Sequence, residues 1–203
     1  MKSKTNPLIP FAKPFVPSNE ELLPYLDKIR KTRMLTHSGP IHQELEIELA
    51  KMLGVKFVSL TANGTLALTI ALRAMQLEGE IITTPFTWVA SANAICWNNL
   101  TPVFADIDQQ SLNQCPLNTA SQITSKTSAI MPVHSFGNPC DLEAFSALAK
   151  KNGLKLLYDA AHAFGVNINS ESLCKFGDLS IISFHPTKAF HTFEGGAIIS
   201  HDL

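Results

Sequence analysis

The sequence has no cysteine pair at metal-ligand spacing, no histidine–glutamate zinc motif, no long apolar run and no excess of charge of one sign. Each absence excludes something. The four cysteines, Cys96, Cys115, Cys140 and Cys174, are scattered and form no C-x-x-C pair. Thiolate metal sites cluster their ligands, and small disulfide scaffolds are cysteine-dense. Free thiols in a reducing compartment are therefore expected. The seven histidines show no H-E-x-x-H or related spacing, so no metal is expected. A formal net charge of -1 over 203 residues offers no basic stripe to nucleic acid and no attraction to an anionic membrane, and neither is expected as a partner. No stretch approaches the roughly 18 apolar residues of a membrane helix. The opening Met1-Lys2-Ser3-Lys4-Thr5-Asn6-Pro7 has no apolar run behind it of the length a secretory signal needs. A soluble, cytoplasmic protein is expected. Internal repeats and low-complexity segments are also missing.

What is present is a chain with 45% hydrophobic residues, long enough for one sizeable domain with a proper core. Its first forty residues are punctuated by Pro7, Pro10, Pro14, Pro17 and Pro24. They read as an extended arm, a short helix around Asn19 to Thr32, and a loop through His37-Ser38-Gly39-Pro40. Residues 41–203 form the main domain. Ile41, Leu45, Leu49 and Leu53 stand at helical spacing, with Gly54 as a C-terminal cap. An alternation of short strands and helices follows. Strands are expected at 56–60, 80–84, 101–106, 128–134, 155–159, 178–184 and 196–200, and helices at 66–77, 87–98 and 141–151. This order argues an α/β domain with a largely parallel sheet. The apolar strand 196–200 ends the chain with no helix after it. A fragment or a truncated product is the expectation, with apolar surface uncovered around that strand.

In such a domain ligands gather at the carboxyl ends of strands, and three groups of polar residues fall there. Asn63-Gly64-Thr65 follows the first strand and opens a helix. Backbone N–H groups at a helix N-terminus, approached closely over a glycine, bind anions, although Asn-Gly is also a common turn. Asp159 ends an apolar strand, so its carboxylate is partly buried and needs a cationic or donating partner. It either caps the next helix or serves as the counter-ion of a protonated ring nitrogen. Lys188 lies shortly after a strand end, amid Phe184, Ala189, Phe190 and Phe193. Desolvation there lowers a lysine pKa and makes the amine a nucleophile toward aldehydes; a solvated loop lysine is the ordinary alternative.

Taken together and in this order, these residues resemble the large domain of fold-type-I pyridoxal-phosphate enzymes, and more closely the DegT/StrS family of nucleotide-sugar aminotransferases. The matching stretches are Ser38-Gly39-Pro40, residues 61–68 (TANGTLAL), 84–95 (TPFTWVASANAI), 102–108 (PVFADID), 158–165 (YDAAHAFG) and 183–188 (SFHPTK), with Glu194-Gly195-Gly196 beyond them. The resemblance implies a three-layer α/β/α sandwich with a mixed, mostly parallel sheet. It also implies pyridoxal 5'-phosphate as cofactor. Lys188 would bind it covalently, and Asp159 would keep its ring nitrogen protonated. His162 would contact it near the phenolic oxygen, and Trp88 would stack on the ring. Ser183 with Asn63, Gly64 and Thr65 would hold the phosphate, and Glu194 would shape the substrate site. The implied reaction is amino transfer from glutamate to a nucleotide-linked keto-sugar, most similar to members acting on 4-keto-6-deoxy sugars, by a homodimer. Two features depart from the pattern. Phe193 stands where a glycine often precedes the acid-Gly-Gly, and the smaller C-terminal domain of family members is absent from this sequence. A catalytically weak or inactive cofactor-binding or regulatory homologue is the alternative. A sugar dehydratase is a further one, but those relatives carry histidine in place of the lysine.

Overall fold

A computed structural model describes residues 9–10, 12–36 and 38–201. The expected N-terminal arm is described from Ile9 onward, apart from Phe11; residues 1–8 and His37 of that reading lie outside the described residues. Helix α1 spans Asn19–Thr32 and opens on a capping box, in which Ser18 and Glu21 satisfy each other's backbone N–H groups. Helix α2, Pro40–Leu53, starts with proline in its first turn. It stops where Gly54 takes a left-handed φ of 62°. Pro40 therefore belongs to the helix and not to the preceding loop.

The alternation that follows is β1 (Phe57–Thr61), α3 (Gly64–Ala74), β2 (Glu80–Thr83), α4 (Ala90–Trp97), β3 (Thr101–Phe104), α5 (Pro116–Ser121), β4 (Thr127–Ile130), α6 (Leu142–Asn152), β5 (Lys155–Asp159), β6 (Asn167–Ile168), β7 (Glu171–Ser172), β8 (Leu179–Ser183) and β9 (Gly196–Ser200). Two boundaries differ from expectation for local reasons. The helix expected from Thr87 begins at Ala90, because residues 84–89 form a turn after Pro85. The strand expected to reach His134 ends at Ile130, since Pro132 has no N–H to continue a ladder. The short α5 and the two-residue β6–β7 hairpin carry no periodicity that a sequence reading could detect.

Seven strands form one sheet in the order β1-β9-β8-β5-β4-β2-β3. Pairing is parallel from β8 through β5, β4 and β2 to β3, and antiparallel on both sides of β9. Side chains alternate across this sheet with period two. Ala129, Leu157 and Ile181 face Ala67, Leu68, Ala71 and Leu72 of α3 and Ala94 and Ile95 of α4. Their neighbours point the other way: Ile182 packs with Leu49 and Leu53 of α2, and Ile130, Leu156 and Tyr158 pack with Phe145 and Ala149 of α6. The result is the three-layer α/β/α sandwich with a mixed, mostly parallel sheet.

The expectation of uncovered apolar surface around 196–200 is corrected. Strand β9 is an interior strand between β1 and β8, with Gly196, Ala197 and Ile199 buried. Its entry is tight. A Cβ added to Gly196 would lie 2.6 Å from the carbonyl carbon of Asn63 and 2.7 Å from the backbone nitrogen of Gly64. Backbone at a strand–helix junction cannot swing aside as a side chain can. Gly196→Ala is accordingly expected to destabilise the fold by about 1–3 kcal/mol, read as a lower urea midpoint at an unchanged slope.

No helix among the described residues is long and apolar enough to cross a membrane. No described group of three or more His, Cys, Asp or Glu residues is placed to hold a metal ion. The four cysteines are free thiols. Cys140 and Cys174 are buried, which pushes their pKa values up to about 12 and about 11.

Candidate active site

Strand direction gathers the chemistry. Strand β9 runs against β8 and β1, so β1 runs the same way as β8, β5, β4 and β2. Their carboxyl ends share one edge of the sheet. Asn63 follows β1 there, Asp159 ends β5 and Ser183 ends β8. The reversed β9 presents its beginning at the same edge, with Gly196 in register with both Thr61 and Ser183. Glu194 arrives through that reversal.

Asn63 is the N-cap of α3, its side chain accepting the Leu66 N–H at 2.9 Å. Gly64 opens the helix and is buried; a Cβ there would lie 2.9 Å from the Ser183 Cβ and 3.2 Å from its Oγ. Two expected phosphate-binding segments thus meet, through Gly64 and Ser183, 119 positions apart. Only a residue without a side chain lets the helix N-terminus come this close to the end of β8. Thr65 is half-buried beside them. Backbone N–H groups, a helix dipole and a hydroxyl converge in the way an anionic group requires.

Asp159 is 4% exposed. Its backbone is held on both sides, the N–H donating to the Pro132 carbonyl and the carbonyl accepting from His134 N–H. Its carboxylate accepts from Ser91 Oγ at 2.7 Å and from Ala161 N–H at 3.2 Å. No helix follows it, so the helix-cap alternative falls away; the Ala161 contact belongs to a turn. Burial pushes the carboxyl above the usual carboxylate range, and the Ser91 and Ala161 hydrogen bonds and the charges of His162 and Lys188 offset only part of this. Among the described residues no ion pair reaches Asp159. A buried carboxylate with two donors and no paired cation is set to receive one.

Ser91 was not assigned a role from the sequence. It is 1% exposed, on the face of α4 that also buries Ala94 and Ile95. A hydroxyl among apolar residues at helical spacing was the signal that could have found it. Because Ser91 donates its proton to Asp159, the Thr87 hydroxyl at 2.8 Å donates to Ser91. Ser91→Ala leaves one buried carboxylate oxygen without a donor, a loss of about 1–3 kcal/mol. The hydroxyl favours the charged form, so its removal raises the Asp159 pKa further. The stability difference between the two proteins should be smallest in acid, where the carboxyl is protonated in both. It should grow only as pH rises through the Asp159 pKa of the folded original protein, which lies above the ordinary aspartate value, because the unfolded carboxyl titrates alike in both proteins and cancels. Urea titrations across that window showing a pH-independent difference would contradict this.

Lys188 lies in the turn after β8, its backbone N–H bonded to the His185 carbonyl at 2.9 Å. Half-burial lowers its pKa below the usual lysine value, with the Asp159 charge opposing. The loop rests on an aromatic base in which Phe164 stacks on Phe190 at 4.6 Å and Phe184 meets Phe190 edge-on at 5.2 Å. Phe193 and Ala189, expected in this apolar surround, are exposed instead. His162 is exposed on the surface of this sheet edge, and partial desolvation, followed by the Lys188 charge, lowers its pKa. Asp159 feels the charges of His162 and Lys188, His162 feels those of Lys188 and Asp159, and Lys188 feels that of Asp159, so the three stand within electrostatic reach at this edge. Trp88, in the connection between β2 and α4, is 75% exposed, and Glu194 is exposed with its carboxylate 3.8 Å from His185 Nε2.

The chain is similar to known proteins along most of its length. A dTDP-4-amino-4,6-dideoxy-D-glucose transaminase of Shigella dysenteriae is 50% identical over 186 residues, covering 92% of this chain and 51% of the relative. One of the same name from Escherichia coli is 46% identical over 205 residues, covering 100% of this chain and 54% of the relative. The crystal structure of DesI in the presence of its TDP-sugar product superposes with a TM-score of 0.90 at 37% identity, covering 93% of this chain and 48% of DesI. The chain spans about half the length of the curated relatives it matches. The family model for DegT/DnrJ/EryC1/StrS aminotransferases matches residues 17–203, and the chain belongs to that family.

Proposed function

We propose that this chain carries the pyridoxal-phosphate site of an aminotransferase that moves an amino group from glutamate to a nucleotide-linked 4-keto-6-deoxy sugar, working as a homodimer. The observation that carries the reading is Asp159, a buried carboxylate with no paired cation among the described residues, at the same sheet edge as the half-buried amine of Lys188 and within reach of its charge. The residues fit the cofactor's three recognisable parts. The Gly64 cradle and Ser183 suit a phosphate, Asp159 suits a protonated ring nitrogen, and Lys188 suits an aldehyde carbon. A cationic N–H against Asp159 restores the charged carboxylate that burial disfavours, and the carboxylate in turn holds the proton on the nitrogen. When bound, the cofactor supplies an electron sink for the carbon that loses its proton. Lys188, with its pKa lowered, would supply the base for that proton, and its half-burial would limit the water that competes for it. The relatives' names support a nucleotide-linked amino sugar as the product class.

The test is to add pyridoxal phosphate to the purified chain, reduce with borohydride and map peptides. The label is expected on Lys188. Lys175 is the informative alternative. It precedes β8, while Lys188 follows it, so the two lie toward opposite ends of that strand. A label on Lys175 would overturn the assignment. Bleaching of the visible band by glutamate, and a dimer by light scattering, are the expected companions.

A further inference from the structure

The turn at Ser135–Gly137 has no place in the function described so far, and it is strained where it meets the site. Phe136 adopts φ 55° and ψ 20°, a left-handed conformation that a bulky residue takes only when its surroundings hold it there. The conformation aims the Phe136 backbone N–H at Nδ1 of His162, 3.3 Å away. The Phe136 ring also lies nearly parallel to the imidazole, at 17° and 6.2 Å between centroids. Gly137 presses on the same residue from behind, since a Cβ there would lie 2.8 Å from the His162 carbonyl oxygen. Three features of one turn thus converge on one histidine, although 26 positions separate Phe136 from it.

An N–H donor needs a lone pair to point at. Nδ1 can accept from Phe136 only if it carries no proton, and a neutral imidazole must then carry its proton on Nε2. We infer that Phe136 is a positioning residue whose backbone N–H locks His162 in the Nε2–H tautomer, so that this histidine enters the site as a hydrogen-bond donor through Nε2. Partial desolvation and the neighbouring Lys188 charge favour the neutral ring, which is the form that has a tautomer to choose. The inference deepens the proposed site, but it concerns only this chain's own atoms and can be tested without cofactor.

The experiment is a long-range 1H–15N correlation spectrum of the full chain labelled at histidine, with the His162 signals identified by their loss in His162→Gln. Above the pH at which the ring charges, Nδ1 is expected in the unprotonated, pyridine-like region and Nε2 in the pyrrole-like region. A protonated Nδ1, or averaged shifts from two exchanging tautomers, would overturn the inference. Phe136→Gly separates the amide from the ring: glycine accepts the left-handed conformation and keeps the N–H. Retention of the Nε2–H tautomer in that variant is expected, and its loss would assign the effect to ring stacking and refute the role of the amide. Failure to bind pyridoxal phosphate would count against the proposed function and leave this result standing, so the two readings fail separately.

Discussion

Lys188→Ala is expected to abolish the borohydride-fixed label and to cut amino transfer by at least about 10²–10⁴-fold, the range for removing a positioned general acid–base. The loss should exceed that of any substitution in the phosphate cradle, because alanine removes both the point of covalent attachment and the proton carrier. The fold should survive. Lys188 is only half-buried, sits in a turn, and makes no ion pair among the described residues. An unchanged urea midpoint beside the lost label would therefore locate the effect in chemistry. Amino transfer in the alanine variant within tenfold of the original rate would refute the assignment.

Asp159→Asn is the second large effect, and it has two parts. An amide cannot hold a proton on a ring nitrogen as a carboxylate does, so the rate of proton removal from a bound amino acid should fall on the order of 10²–10³-fold, as for loss of one preorganised electrostatic contact. Stopped-flow measurement of the glutamate half-reaction reads this directly. The second part needs no turnover. The Asp159 charge raises the pKa of Lys188 while burial lowers it. Without that charge only burial remains, and the midpoint of Lys188 titration should move further below the usual lysine value. The free amine would then persist to lower pH, and covalent attachment of an aldehyde would show its half-maximal rate at lower pH in the variant. A midpoint that rises, or stays where it was, would show that the Asp159 charge does not reach Lys188. The stability of the variant carries a related sign. A carboxyl whose native pKa is raised binds its proton more tightly folded than unfolded, so its contribution falls as pH climbs above about 4. Asparagine does not titrate. The variant should therefore compare best with the original protein at neutral pH and worst in acid.

Much of this site was legible as residue types at strand ends. Lys188, Asp159 and Asn63-Gly64 each follow an apolar run of strand length, and alternation of strands with helices already places such positions at one edge of a parallel sheet. Ser183 and Glu194 were legible only through resemblance, because nothing local marks a serine ending a strand or an acid before two glycines. Ser91 and Phe136 were not legible in that sense. Ser91 meets Asp159 because α4 packs against the sheet and brings its hydroxyl 2.7 Å from a carboxylate 68 positions away. Phe136 is a phenylalanine in a turn, and its sequence context does not reveal the sign of its φ angle.

By itself the sequence determined the elements and the chemistry available. Capping residues, proline positions and apolar periodicity set most helices and strands to within a few residues, since these are local energies read over one or two turns. It also determined which titratable and glycine residues stand at element ends. Only the tertiary structure decided what those residues experience. The insertion of β9 between β1 and β8, reversed against both, brings Glu194 and Gly196 to the edge where β1, β5 and β8 end. The same packing buries Asp159 without a paired cation and half-buries Lys188 near it. Burial and proximity depend on contacts between segments far apart in the chain, which no local pattern encodes. Desolvation and unscreened charge then set the pKa values on which the chemistry turns.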